Sequence, residues 1–194
     1  MDKTREIARY GKLLHLNGLV IGPGGNISLR DGDSLIIKKK GADMSREDAD
    51  DYIRVPFPEK DSRDGSLSSE TPLHIACYEA RKDIAAVIHV HSPYMIALAG
   101  RTDLLESTSY EFDCVLRKAV PVIGYIQPGT QELAAAVAEK IRDGANAVIM
   151  RRHGAISVGR DLEEAYLRIL ALDRACISLL LGTPHSGTPR KSED

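Results

Sequence analysis

The chain of 194 residues predicts a single α/β domain whose sheet is not purely parallel. Helical periodicity and short β-branched runs alternate without a linker or an internal repeat, which is typical of one α/β domain. Residues 26–30 and 34–38 are predicted strands joined by a tight turn, and residues 146–151 and 155–158 form a second such pair. Adjacent hairpins of this kind argue against a sheet of parallel strands alone.

Helix start and stop residues and the spacing of apolar residues delimit the other elements. Ser69 is the predicted N-cap of the second helix, with Pro72 in its first turn. The pattern of residues 101–118 indicates neither a helix nor a strand. The predicted helices cover residues 3–16, 69–82, 94–99, 131–142 and 161–181, with one helical turn at 45–51, and the further strands cover 52–57, 84–91 and 120–126.

Composition and charge limit the classes of function. A net charge of -2, two Phe, seven Tyr and no Trp argue against nucleic acid as the main partner. No apolar run reaches the roughly 18–20 residues that span a membrane, and no signal-peptide pattern begins the chain. The cysteines Cys77, Cys114 and Cys176 lie far apart, which indicates reduced thiols. We therefore expect a cytoplasmic protein with one domain, residues 1–182, and a flexible tail, residues 183–194, that lacks apolar side chains.

Two histidines, His89 and His91, interrupt a run of β-branched residues. On a strand, residues two apart point to the same side, so both imidazoles face one way. Such a pair at the end of a buried strand is typical of half a zinc site. His153 lies between a buried strand and a glycine and could line the same pocket, although spacing alone does not join it to the pair. Glu70 offers a carboxylate as a fourth ligand or a base.

Three stretches are candidates for binding an anion. Asn26 follows two glycines, where backbone N–H groups and an amide can approach a ligand. Ser68 and Ser69 lie at a predicted helix N-terminus, where the helix dipole favours a phosphate. Lys40 adds a cation beside the flexible Gly41. Alone, each stretch has an ordinary explanation as a turn, a cap or a solvated surface; together with a metal site they indicate a small phosphorylated substrate.

Five sequence blocks resemble the class II aldolase/adducin family. They are Gly-Gly-Asn-Ile-Ser, Lys-Gly, Ser-Ser-Glu-Thr-Pro-Leu-His, His-Val-His-Ser-Pro-Tyr and His-Gly-Ala, in the family's order over residues 5–181. The resemblance implies a three-layer α/β/α fold with a central, largely antiparallel sheet. It also implies a cyclic homotetramer with active sites between subunits. The implied activity is a zinc-dependent aldolase that forms or cleaves a ketose 1-phosphate, such as fuculose 1-phosphate, through a dihydroxyacetone phosphate enediolate.

The resemblance also gives each candidate residue a role. His89, His91 and His153 match the ligands of one zinc ion per subunit. Glu70 matches the catalytic acid/base, and Tyr110 matches a tyrosine that reaches into a neighbouring subunit's site. The residues that match the phosphate pocket are Asn26, Gly41, Ser68 and Ser69. Lys40 does not match the family pattern but is a candidate for the same pocket because of its charge.

Three departures from the family pattern leave the non-phosphate end of the substrate open. They are Lys40 in place of a small hydroxyl residue, Arg151 and Arg152 before His153 in place of Asn or His, and the acidic Glu111 and Asp113 beside Tyr110.

Alternatives from the same family also fit the sequence. They are a methylthioribulose-1-phosphate dehydratase, a ribulose-5-phosphate 4-epimerase and a non-enzymatic adducin-type interaction module. The epimerases carry Asp at the position of Glu70, so this glutamate favours the aldolase or the dehydratase. The retained histidines argue against the interaction module. Imidazole sites also accept divalent metals other than zinc.

Overall fold

The computed structural model describes residues 2–58, 65–106 and 109–182. These residues form an eight-stranded sheet with helices on both faces. The strands are β1 (Asn26–Asp31), β2 (Ser34–Lys38), β3 (Tyr52–Pro56), β4 (Ala86–Val90), β5 (Leu104–Leu105), β6 (Val120–Ile123), β7 (Ala147–Met150) and β8 (Gly154–Gly159). The helices are α1 (Lys3–Leu16), α2 (Thr71–Ala80), α3 (Pro93–Ala99), α4 (Tyr110–Val115), α5 (Gln131–Arg142) and α6 (Leu162–Gly182), with 3-10 turns at Met44–Arg46 and Ala49–Asp51.

The strand order is β3-β2-β1-β4-β8-β7-β6-β5. In the described part of the chain only β6 and β7 pair in parallel, and the other neighbours are antiparallel. Asp31 pairs with Ser34, so a two-residue loop joins β1 to β2. Gly32 begins that loop with φ of 60°, the positive φ that a type II′ turn needs. The predicted hairpins and the largely antiparallel sheet are confirmed.

Helices cover both faces of the sheet. One apolar core joins α1, α3, α4 and α6 to the sheet, and a second core joins α2 and α5 to the opposite face. The alternation of β1 produces this division: Ile27 and Leu29 lie in the first core. Ser28, between them, faces α2, where its Oγ lies 2.7 Å from the hydroxyl of Tyr78. The three-layer α/β/α prediction is confirmed.

Several boundaries differ from the prediction. The prediction of Ser69 as an N-cap is wrong: Glu70 occupies that position and α2 begins at Thr71. The reason is a tight turn at Ser68, whose carbonyl accepts a hydrogen bond of 2.7 Å from the Thr71 hydroxyl. The predicted strand 120–126 ends at Ile123, and α2 ends at Ala80 rather than near residue 82.

Two further parts of the prediction have different outcomes. The ambiguous segment 101–118 contains β5 and α4. The predicted tail, residues 183–194, lies outside the described residues. Within the described residues, no helix combines the length and the apolarity that crossing a membrane requires.

Candidate active site

The ends of β4 and β8 bring three histidines together. His89 lies in β4, and His91 follows the last residue of that strand. His153 precedes β8, and the pairing of Val90 with Ala155 returns the chain to the end of β4. The ligand atoms of the three imidazoles all lie within 4.8 Å of one another. The structure therefore joins His153 to the strand pair, which spacing alone did not do.

A glycine allows the turn before β8 to lie against β4. Gly154 has φ of 148°, and a Cβ at this position would lie 2.0 Å from the carbonyl oxygen of Val90. Any other residue would push the turn away from the strand. Gly154 therefore fixes the distance between His153 and the other two histidines.

The hydrogen bonds of His89 orient it as a metal ligand. Its Nδ1 lies 3.0 Å from the carbonyl oxygen of Ala155, which only accepts, so Nδ1 carries the proton. Nε2 is then unprotonated, and its lone pair faces Nε2 of His91 at 2.9 Å. A backbone carbonyl bound to the outer ring nitrogen is the usual companion of a metal-bound histidine.

Burial keeps the three imidazoles neutral. It lowers the pKa of His89 well below its usual value and lowers the pKa of His153 to about 4. Burial, followed by the ammonium of Lys38, lowers the pKa of His91. Only a neutral imidazole has a lone pair for a metal, so this environment suits metal binding.

Unpartnered buried atoms mark the same site. Within the described ranges, Oε2 of Glu70 and Nδ1 of His153 are buried without a hydrogen-bond partner. Such groups cost free energy unless a ligand satisfies them. Three converging imidazoles with a carboxylate nearby fit a divalent metal of the zinc type. Glu70 itself lies outside the 4.8 Å cluster of nitrogens, which favours its role in proton transfer over a role as fourth ligand.

Glu70 lies at the N-terminus of α2 and is only 6% exposed. Burial raises the pKa of its carboxyl, and a hydrogen bond from the backbone N–H of Gly129 partly opposes this shift. A carboxyl whose pKa moves toward neutrality can both accept and return a proton.

One cavity of about 330 Å³ joins the metal residues to the predicted anion residues. Asn26 pairs with His89 across β1 and β4, so the start of β1 lies beside the histidines. Nδ2 of Asn26 donates a hydrogen bond of 3.2 Å to Oγ of Ser68, which links β1 to the turn before α2. The predicted residues that line this cavity are Asn26, Lys40, Gly41, Ser68, Ser69, Glu70, His91 and His153.

Sequence reasoning missed a buried chain of polar groups behind Asn26. His74 is fully buried, and its pKa falls to about 3, so its ring is neutral. Since Nδ2 of Asn26 donates to Ser68, its Oδ1 accepts from Nε2–H of His74. Nδ1 of His74 then accepts from the Ser28 hydroxyl at 2.7 Å. This chain turns the Asn26 carbonyl toward the core and its NH₂ group toward the cavity.

Lys38 was also missed, because the prediction chose Lys40 from the lysine run. Lys38 ends β2 with 2% of its surface exposed, whereas Lys40 is exposed. Its ammonium donates hydrogen bonds to the carbonyl oxygens of Pro23 at 2.7 Å and Ala42 at 2.8 Å. Burial lowers its pKa to about 8. The sequence contained one signal for this position: the apolar run of β2 continues without a break into this lysine.

His89 lies in the histidine cluster but does not line the cavity, whereas Tyr110 belongs to neither. It begins α4, is 85% exposed and is absent from the cavity lining. Within one chain it therefore takes no part in the candidate site.

The sequence profile of the Class II Aldolase and Adducin N-terminal domain matches residues 5–180. The chain belongs to the class II aldolase and adducin family. Two of the relatives that it resembles are named as aldolases, and the prediction of a class II aldolase is confirmed. Enzymes of this kind depend on a metal, and the histidine cluster could hold one.

Three comparisons represent the family members that resemble this chain. An L-fuculose phosphate aldolase of Methanococcus maripaludis is 31% identical over 89% of this chain and 93% of its own. A 5-methylthioribulose-1-phosphate/5-deoxyribulose-1-phosphate aldolase of Escherichia coli is 30% identical over 78% of this chain and 70% of its own. The crystal structure of L-fuculose-1-phosphate aldolase from Thermus thermophilus has a TM-score of 0.83 and 27% identity, and the match covers 92% of this chain and 96% of that one.

Proposed function

We propose that this chain is a zinc-dependent aldolase that cleaves or forms a ketose 1-phosphate, with dihydroxyacetone phosphate as the three-carbon partner. One observation carries the proposal: a single cavity is lined by neutral imidazoles, a buried carboxylate and a loop suited to an anion. The relatives from Escherichia coli and Thermus thermophilus named above support a ketose 1-phosphate, because each is named as the aldolase of such a sugar.

His89, His91 and His153 would hold the metal ion through their inward-facing ring nitrogens. A zinc ion bound there would supply a Lewis acid that polarises the carbonyl of the substrate. The hydrogen bond from His89 to Ala155 keeps one imidazole in the tautomer that this task needs. Another divalent metal would also suit three imidazoles, so the physiological metal is part of the test.

The other end of the cavity would bind the phosphate. Ser68 and Ser69 line the cavity just before the N-terminus of α2, where the helix dipole favours an anion. Asn26 presents its NH₂ group to the cavity, and the backbone at Gly41 offers a close approach. Lys40 adds an exposed positive charge at the rim. These groups would anchor the phosphate and so fix the sugar carbons relative to the histidines.

Glu70 would move the proton of the reaction. In the cleavage direction the bond between carbons 3 and 4 breaks, the hydroxyl on carbon 4 loses its proton, and Glu70 delivers a proton to carbon 3. In the synthetic direction Glu70 removes that proton. Burial raises its pKa, which increases the fraction of carboxyl that is protonated and ready to donate.

Tyr110 would serve the cavity of a neighbouring subunit. Its 85% exposure at the first residue of α4 leaves the ring available to a second copy of the chain. The phenol would exchange the proton of the carbon-4 hydroxyl. This role requires a neighbouring subunit, and we propose for this protein a homotetramer with active sites between subunits, in the cytoplasm.

A substrate screen tests the proposed function. Zinc-loaded protein is incubated with dihydroxyacetone phosphate and short aldehydes, and with fuculose 1-phosphate, ribulose 1-phosphate and their deoxy relatives. We expect reversible release of dihydroxyacetone phosphate from at least one sugar, with a single product stereoisomer in synthesis. Loss of water without release of dihydroxyacetone phosphate would identify a dehydratase instead. Inversion at carbon 4 would identify an epimerase.

The metal assignment has its own measurement. His91→Ala removes one of three ligands, and we expect the purified variant to lose stoichiometric zinc because two imidazoles bind far more weakly. His15→Ala removes a histidine near the end of α1 and is the matched control. Metal content is measured by atomic absorption after the same preparation. Stoichiometric zinc in His91→Ala would contradict the assignment.

A further inference from the structure

A second cavity of about 360 Å³ lies near the ends of β4 and β8 that are opposite to the histidines. Asp83 precedes β4, whose other end carries His89, and Arg160 follows β8, whose other end follows His153. The two ends of β4 and β8 are separated by five and six residues, a distance on the order of 15–20 Å. This cavity, here named the basic cavity, shares no lining residue with the candidate active site.

Positive charge is concentrated in the basic cavity. Its lining includes five cationic side chains and two carboxylates, an excess of three positive charges on a chain with a net charge of -2. The cations come from four separate segments, so the fold itself brings them together. They are Arg81, Arg117, Lys118, Arg160 and Arg168.

The two carboxylates are already occupied by arginines. Asp83 accepts from Arg81 at 2.8 Å. Glu164 accepts from Arg160 at 3.2 Å and from Arg168 at 2.9 Å. These pairs leave no carboxylate of the lining to neutralise the remaining cations.

Arg117 and Lys118 are the cations left over. Neither has an ion-pair partner among residues 2–58, 65–106 and 109–182, and the Arg117 side chain donates one hydrogen bond, of 3.4 Å, to the carbonyl oxygen of Cys114. Lys118 is lodged against the loop before β7, where a Cβ on Gly144 would lie 2.4 Å from its Nζ. The ammonium therefore lies beside Gly144 at the wall of the basic cavity.

Like charges at this density repel one another. Burial lowers the pKa of the Arg168 guanidinium, Glu164 raises it, and three neighbouring arginines lower it further. An anion between the cations would relieve that repulsion. Guanidinium groups match the oxygens of phosphate in pairs, which makes phosphate the anion that an arginine-rich cavity favours.

We infer that the basic cavity is a second anion site that binds a compact polyphosphate group through Arg117 and Lys118. The excess of three charges suits a group with more than two negative charges, such as a diphosphate. A volume of about 360 Å³ admits such a group. The inference does not rest on the proposed aldolase function, because the two cavities have no residue in common.

Calorimetric titration of inorganic pyrophosphate into the full chain tests the inference. The test variant is Arg117→Gln with Lys118→Gln, which removes both charges but keeps polar, unbranched side chains at two exposed positions. We expect at least about a tenfold loss of affinity at one site, since each lost charged hydrogen bond weakens binding by that order. Any pyrophosphate bound near the histidines is unaffected, and aldolase turnover stays at the wild-type rate.

A charge-matched control separates the cavity from net charge. Arg9→Gln with Arg101→Gln removes the same charge from two exposed positions that line neither cavity. This control should bind pyrophosphate as the wild type does. Equal weakening in both double variants would overturn the inference, as would unchanged binding in the test variant. If the test variant does not fold, by circular dichroism, Lys118→Gln alone is measured against the same outcomes.

Light scattering distinguishes a contact between copies of the chain. A lower molecular mass in the test variant, together with unchanged pyrophosphate affinity, would overturn the inference and assign the two cations to such a contact. An unchanged mass with weakened pyrophosphate binding supports it. Binding in the wild type should also weaken steeply as salt concentration rises, because the attraction is between charges.

Discussion

At the scale of single residues, the chemistry of the site depends on which buried groups remain without a partner. Two side chains beside the cavity have hydrogen-bond partners: His89 has Ala155, and Asn26 has His74 and Ser68. Oε2 of Glu70 is not, although the side chain is 6% exposed. A buried carboxylate oxygen with no partner is unfavourable for folding and is available for proton transfer.

Replacement of that carboxylate separates metal binding from turnover. Glu70→Gln keeps the shape of the side chain but removes its proton exchange, so we expect turnover to fall by about 10³-fold. Zinc content should stay stoichiometric because the nitrogen cluster excludes Glu70. Glu79→Gln, at an exposed position of the same helix, is the control. Wild-type turnover in Glu70→Gln would remove Glu70 from the mechanism.

His74 acts on the substrate only through Asn26, which makes it a positioning residue. His74→Leu removes the donor that holds the Asn26 carbonyl toward the core. The amide can then turn its carbonyl oxygen to the cavity, which repels a phosphate. We expect KM for the phosphorylated substrate to rise about tenfold, with a smaller change in kcat and full zinc content. His74→Gln retains an N–H donor and should recover much of the KM. An unchanged KM in His74→Leu would show that Asn26 keeps its orientation without His74.

At the scale of elements, the site depends on loops that strands and buried charges hold in position. Lys38 ends β2 and binds the loop before β1 through Pro23 and the loop after β2 through Ala42. Both loops contribute residues to the cavity. One buried ammonium therefore sets the width of the anion end of the site.

The depressed pKa of Lys38, about 8, gives this interaction a pH dependence. Above pH 8 the unfolded chain still binds a proton that the folded chain has lost, so folding gains stability as pH rises. We expect the free energy of unfolding of wild type, relative to Lys38→Met, to increase by about 2 kcal/mol between pH 8 and pH 10. Urea denaturation at several pH values measures it. An equal increase relative to Lys40→Met would mean that the effect does not come from the buried lysine.

Local signals predicted the elements, whereas contacts between distant segments decided the site. The bounds of α1 and α5 match the prediction because apolar periodicity and caps are local. His74 and Asn26 are 48 positions apart in the sequence and come into contact because α2 packs on β1. Local residue spacing does not predict such a contact. The predicted N-cap, Ser69, lies one residue before the observed one because Ser68 accepts hydrogen bonds from the backbone N–H groups of Glu70 and Thr71, a turn that the prediction did not include.

At the scale of the whole molecule, the proposed active site needs more than one chain. The cavity contains candidates for the metal, the phosphate and the proton on carbon 3, but none of its lining residues is the exposed tyrosine of α4. In a closed ring of identical subunits, a residue exposed on one copy can complete the cavity of the next. In the proposed homotetramer, each active site would therefore depend on a tyrosine from a neighbouring chain.

Mixed tetramers test whether the active sites are shared between subunits. Tyr110→Ala and Glu70→Gln chains should each be nearly inactive alone, because each set of sites lacks one proton-transfer group. When equal amounts are unfolded and refolded together, about one quarter of the sites combine Glu70 from one chain with Tyr110 from its neighbour, so about one quarter of wild-type turnover should return. Native mass spectrometry verifies that hybrids form. Hybrids without recovered turnover would contradict sites shared between subunits, since each hybrid would then contain only sites that lack Glu70 or Tyr110.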